Sequence, residues 1–218
     1  MEDTIIISLF ERIQYKRNKK IYVPGAIYIP DFDGSFLDFL FKGTEELHAK
    51  AGRYIDPEES PFYIENIEPI IQRRKHNLID IEPKININEK IMRAYLKWIP
   101  SLCKRGDDNE YGSAALADII CLQSIVKRIE KGKKVAELKF REEREEYTHL
   151  IINNNDEGLM EKLTNKKKER EVLDRVKQKG ERYNVDSFFI GDIYEKEIIP
   201  LTKEVELKYL KAKRSSLL

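Results

Sequence analysis

The sequence predicts an all-helical fold: a single-domain helical bundle built around one long central helix. Three observations carry that prediction. The first is residues 111 to 140, YGSAALADIICLQSIVKRIEKGKKVAELKF, which lack Pro and contain only Gly112 and Gly132. Leu116, Ile119, Ile120, Ile125, Ile129 and Val135 recur there at a mostly helical period, which reads as one helix of roughly 45 Å at about 1.5 Å per residue. The second is that charged residues make up 36% of the chain, many as Glu and Lys three or four apart, as exposed helix faces use them. The third is punctuation: eight Pro and ten Gly, mostly between the periodic segments, are too few for a many-turned β fold.

With 218 residues the chain is long enough to bury a substantial core. Its 40 basic and 39 acidic residues leave a formal charge of +1, so no global bias points to nucleic acid or a membrane surface as partner. Cys103 and Cys121 have no close spacing and form neither a zinc signature nor a disulfide framework, which suits a reducing compartment. His48, His76 and His149 are scattered, without a second ligand at metal spacing. IIISLF is too short and its flank MED too acidic for a signal peptide, and no apolar run reaches the roughly 18 residues of a spanning helix. The expected location is cytoplasmic, with no metal site.

In chain order, EDTIIISLFERI (2 to 13) reads as helix, with acids in the first turn where the helix dipole favours them. Residues 14 to 33, with Pro24 and Pro30, read as an irregular crossing. A helix is expected from Ser35 to Arg53, then a Pro-punctuated turn IDPEESPF, and a short helix plus connection over 64 to 77. NINEKIMRAYLKWIPSLCKR (86 to 105) is periodic, and Asn86, three residues before Glu89, is a cap candidate. After the central helix come expected helices over 143 to 152, 156 to 163, 166 to 182 and 188 to 213, the last interrupted by Pro200. The basic KKKEREVLDRVKQKGER carries interleaved acids and reads as a solvated face rather than an RNA-binding helix.

Three pairs of polar residues stand at helical spacing. Arg128 and Lys139 are 11 residues apart, which at about 100° per residue returns within about 20° of the same face. Two long cationic side chains from one helix can therefore converge on a small anion. Thr202 and Glu206 are i, i+4 in PLTKEVELKYL, and Asn165 and Glu169 are i, i+4 in TNKKKERE. Each pair also has a plain reading: solvated surface charges, with Asn165 a helix cap.

The wording decides between these readings. GSAALADIICLQSIVKRIEKGKKVAELKF resembles the central helix of the eukaryotic, fungal-type chorismate mutases. The likeness recurs in PDFDGSFLDFL, PEESPF, EGLMEKLTN and IYEKEIIPLTKEVELKYL, in the same order over essentially the whole chain. The resemblance implies one chorismate mutase domain over 1 to 218, an all-helical homodimer, and rearrangement of chorismate to prephenate in phenylalanine and tyrosine biosynthesis. That pericyclic reaction needs no cofactor, so the protein acts by holding a compact conformer and stabilising charge as the ether bond breaks. It implies that Arg128 binds a substrate carboxylate and that Lys139 contacts carboxylate and ether oxygen. Glu206, protonated, would donate to the same oxygen; Glu169 would accept from the substrate hydroxyl, and Asn165 and Thr202 would complete the wall.

Two departures qualify the likeness. The family carries a further Arg upstream of the segment that Met1 to Ile6 matches, and this sequence starts after it, as though the N-terminal helix were truncated. An unpaired substrate carboxylate in a closed site costs about 3 to 5 kcal/mol, roughly 10² to 10⁴ in rate. Arg12 and Arg17 are the nearby cations that could move in. The alternative function is a weakened or inactive homologue acting as a binding or interaction protein. The second departure concerns control by tyrosine and tryptophan at a dimer-interface site. Arg53, Gly112 and Ser113 match effector positions, whereas Gly52 replaces an Arg, Leu116 a Thr and Glu110 an Asn. The loop NVDSFFIGD is also shorter than the family's regulatory loop. The expectation is that such feedback control is absent.

Overall fold

The central helix, α4, runs Tyr111–Glu142, 32 residues without a break. A computed structural model of the protein describes residues 2–55, 59–64, 67–71 and 85–218. Four helices pack along α4: α1 (Glu2–Ile13), α2 (Phe36–Lys50), α3 (Asn88–Leu102) and α9 (Ile199–Ala212). The shorter α5 (Arg144–Ile152) and α6 (Asp156–Leu163) turn the chain back at its C-terminal end, with α6 against α9. α7 (Lys166–Arg182) packs on α8 (Ser187–Ile193) and on α1. No strand occurs among the described residues.

Local chemistry sets most boundaries. Ser35 and Asp38 close a capping box at the start of α2, and the side chains of Asn155, Asn165 and Asp186 accept backbone N–H groups at the starts of α6, α7 and α8. Ile5, Ile6 and Leu9 of α1 join Ile119, Leu122, Ile125 and Ile129 of α4 and Val205, Tyr209 and Leu210 of α9 in one core, all at most 1% exposed. Burial of this kind is the main favourable term in folding.

Several expectations need correction. Of the six apolar positions on α4, Leu116, Ile120 and Val135 are 49%, 54% and 40% exposed. The six apolar positions on α4 do not lie on one stripe, because intervals of five and six residues carry the pattern around the helix. α2 ends at Lys50, and a separate 3₁₀ turn, Arg53–Ile55, follows. The helix predicted from 86 starts at Asn88 with Ile87 in the cap position, so the expected pairing of Asn86 with Glu89 does not form. Asn86 instead accepts the N–H of Asn88 at 2.8 Å, closing a local turn. Of the short helix expected over 64 to 77, residues 65–66 and 72–77 lie outside the described residues, and 67–71 are not helical. The expected last helix is continuous in path but changes pitch: Tyr194–Ile198 is a π-helical turn leading into α9, with Pro200 in α9's first turn. Pro200 has no N–H to give the carbonyl four residues back, which favours a widened turn there.

Arg12 cannot serve a second site. It is fully buried, and its Nε lies 2.6 Å from an Asp118 carboxylate oxygen on α4. Asp118 also accepts from the hydroxyls of Tyr95 (2.6 Å) and Tyr22 (2.7 Å), and the rest of the guanidinium donates to Tyr22 and to the carbonyls of Tyr15, Lys16 and Arg17. Arg17 donates to the carbonyls of Cys103 and Pro100, tying the crossing after α1 to the end of α3. Both Arg12 and Arg17 are thus engaged in bonds that hold the fold.

Candidate active site

The candidate residues gather where α9 crosses the C-terminal half of α4, and Gly132 is what lets the two helices come this close. A Cβ there would sit 2.9 Å from the Thr202 carbonyl oxygen, 3.2 Å from Glu206 Cγ and 3.2 Å from Thr202 Cγ2. The two helices therefore meet nearly backbone to backbone, between Arg128 and Lys139 in sequence. This close approach carries Thr202 and Glu206 to the face of α4 that bears the two cations.

Lys139 Nζ lies 3.2 Å from Glu206 Oε2 and donates to the Leu163 carbonyl at 2.9 Å, where α6 ends. One ammonium thus joins α4, α9 and the α6–α7 junction. Glu206 is 6% exposed, and burial raises its pKa above the usual carboxylate value although Lys139, Arg128 and Lys203 pull the other way. Desolvation of the anion outweighs three cations because the carboxyl is almost wholly out of water. Arg128 is half-buried and forms no ion pair among the described residues; its charge acts on Glu206 and on the buried Tyr194. Thr202 is buried, its hydroxyl donating to the Ile198 carbonyl at 2.6 Å.

The third pair is arranged differently from its spacing. Asn165 is exposed and is the N-cap of α7, its Oδ1 accepting from Lys168 N at 3.0 Å. Glu169, half-buried one turn on, pairs with Lys203 of α9 at 2.9 Å. Lys203 was not anticipated, because within KEVELK it is one of several surface-type charges. Gly132 was not anticipated either; a Gly between apolar and cationic positions of a long helix is the sequence signal that could have marked it.

The expected effector residues fall in two patches. Arg53 is held by Glu59 (Nε to Oε1, 2.8 Å), Gln123 Oε1 (2.8 Å) and His48 Nδ1 (3.0 Å). Gly112 and Ser113 lie at the other end of that stretch, about 16 Å along α4 from Gln123 at about 1.5 Å per residue. Within one chain they do not meet. No cluster of His, Cys, Asp and Glu suited to a metal occurs among the described residues.

An all-helical frame that brings two cations, a buried acid and a paired carboxylate to one crossing defines the class of helical protein with a charged, half-closed pocket suited to a small anion. Comparison with known proteins gives the family. The profile of chorismate mutase type II matches residues 111–207. The chorismate mutase of Emericella nidulans is 38% identical over 96% of this chain and 87% of its own length. The crystal structure of the Candida albicans enzyme Aro7p, a complex with L-Trp, superposes with a TM-score of 0.94 at 35% identity, covering 99% of this chain and 88% of that one. AtCM1, solved with tyrosine in its allosteric site, gives 0.87 at 39% identity, covering 96% of this chain and 90% of that one. The chain belongs to the chorismate mutases, and it is an isomerase of aromatic amino acid biosynthesis.

These neighbours overturn one expectation. The substitutions at Gly52, Leu116 and Glu110 were read as abolishing amino-acid control, yet proteins of this fold hold tryptophan or tyrosine. Ser113 Oγ lies 3.4 Å from Glu110 Oε2, so Glu110 has a local partner in that patch.

Proposed function

We propose that the crossing of α4 and α9 is the catalytic centre, and that it converts chorismate to prephenate with Arg128, Lys139, Glu169, Thr202, Glu206 and Asn165 as its polar wall. The observation that carries this is the Lys139–Glu206 contact of 3.2 Å, with Glu206 buried and its pKa raised. A proton on Glu206 and a charge on Lys139 supply two donors to an ether oxygen that becomes negative as its bond to carbon breaks, while Arg128 holds a carboxylate. Glu169 accepts from the substrate hydroxyl, and Thr202 and Asn165 line the edge. Nothing covalent is required, so orientation and charge stabilisation account for the rate. The test is loss of chorismate absorbance with purified protein: turnover that falls at least 10²-fold in Lys139→Met and in Arg128→Met supports the assignment. Wild-type turnover in both variants sinks it, and no turnover in any form leaves a binding protein.

We also infer a homodimer whose interface carries an aromatic amino-acid site, with residues 1–218 forming one domain. Leu47 of α2 (68% exposed), Ile55 (43%), Leu116 and Ile120 leave apolar side chains open on elements that pack on one another. The separation of Arg53 from Gly112 and Ser113 within one chain supports a site completed by a second copy.

A further inference from the structure

We infer that Lys203 is a positioning residue for this reaction: it holds Glu169 and the α6–α7 junction in place against α9. The inference rests on the catalytic reading given above. Lys203 Nζ lies 2.9 Å from Glu169 Oε1 and 3.4 Å from Thr164 Oγ1, and its side chain is 21% exposed. Thr164 is not adjacent to Glu169 along the helix; it is the C-cap of α6, and its hydroxyl donates to the Met160 carbonyl at 2.8 Å. A single ammonium therefore spans the last turn of α6 and the first turn of α7. Lys139 grips the same junction from the other side, through the Leu163 carbonyl.

The two lysines divide the work. Lys139 comes from α4 and reaches Glu206; Lys203 comes from α9 and reaches Glu169. Thr202 and Glu206, its neighbours on α9, bracket Lys203, so one turn of helix delivers a wall residue, a strap and an acid. The strap fixes where the Glu169 carboxylate points, because a half-exposed Glu at a helix start otherwise samples several rotamers. The groups that face Glu206 are Arg128 and Lys139 from α4, Tyr147 from α5 and Lys203 from its own helix. Removing Lys203 takes away one of three cations that stabilise the Glu206 anion, so Glu206 keeps its proton to higher pH.

A double-mutant cycle tests this. Lys203→Met is expected to lower kcat/KM about tenfold in the wild-type background and less than about twofold beside Glu169→Gln, with the high-pH limb of the profile moved upward. Lys203→Arg restores both. Should the Met variant melt early, Lys203→Gln gives the same comparison while keeping a polar side chain at that position. An equal loss in both backgrounds with an unmoved limb overturns the strap. Wild-type kcat/KM in Glu169→Gln alone overturns the catalytic reading beneath it, a different result from failure of the strap.

Discussion

Glu206 shows how one side chain acquires a task from its surroundings. An acid in an exposed helix loses its proton well below neutrality, but burial here raises that point while three cations restrain the rise. If the protonated form donates to the breaking ether bond, activity is present below the Glu206 pKa and lost as pH rises through it. Glu206→Gln keeps a donor at every pH, so its profile should lack the high-pH fall of the wild type; profiles with the same midpoint would remove Glu206 from the mechanism. The linkage has the same sign for stability. The folded carboxyl binds its proton more tightly than the unfolded chain does, so the fold weakens as pH rises from the unfolded value through the folded one.

At the scale of elements, the contact between α4 and α9 depends on a missing side chain. Gly132→Ala sets a methyl against the Thr202 carbonyl and Glu206 Cγ, and neither backbone can yield without moving its helix. The expected outcome is a stability loss of about 1 to 3 kcal/mol. A fall in kcat of at least about tenfold should accompany it, since an ångström of misplacement at the site is costly. Denaturant unfolding and steady-state kinetics measure the two. Gly43→Ala, on α2 with open space around its Cα, is the control and should change neither by much. The α7 cap makes a smaller claim: Asn165→Ala removes the acceptor of Lys168 N and should cost about 1 kcal/mol.

For the whole molecule, the Arg12–Asp118 pair ties α1, α3 and α4 together with the crossing after α1 through Tyr95 and Tyr22. It lies away from the α4–α9 crossing and bears on stability rather than chemistry. Asp118→Asn leaves a buried guanidinium without its counter-charge and should cost about 3 to 5 kcal/mol, read as an earlier unfolding midpoint. Association is tested separately: Leu116→Asp with Ile120→Lys should yield monomers in light scattering if these exposed side chains form the dimer contact. An unchanged mass would move the interface elsewhere.

Read alone, the residues determined that the chain is helical, where most helices begin and end, and which family its wording belongs to. Helical period, the Asn165 cap of α7, and the family wording of α4 and α9 are local signals, each written within about one turn of its effect. What only the tertiary structure decided was which residues meet. Lys203 looks like any surface lysine until Glu169 is seen beside it, and Gly132 like a weak point in a helix until α9 is laid against it. Arg12, a free cation by sequence, is consumed by Asp118 a hundred residues away. Leu116 and Ile120 belong to the apolar pattern of α4 yet stand open, because a pattern reports which side chains are apolar and not what covers them. Burial and pairing are properties of neighbours, and the neighbours of a helix are chosen by packing across the bundle rather than by adjacency along the chain.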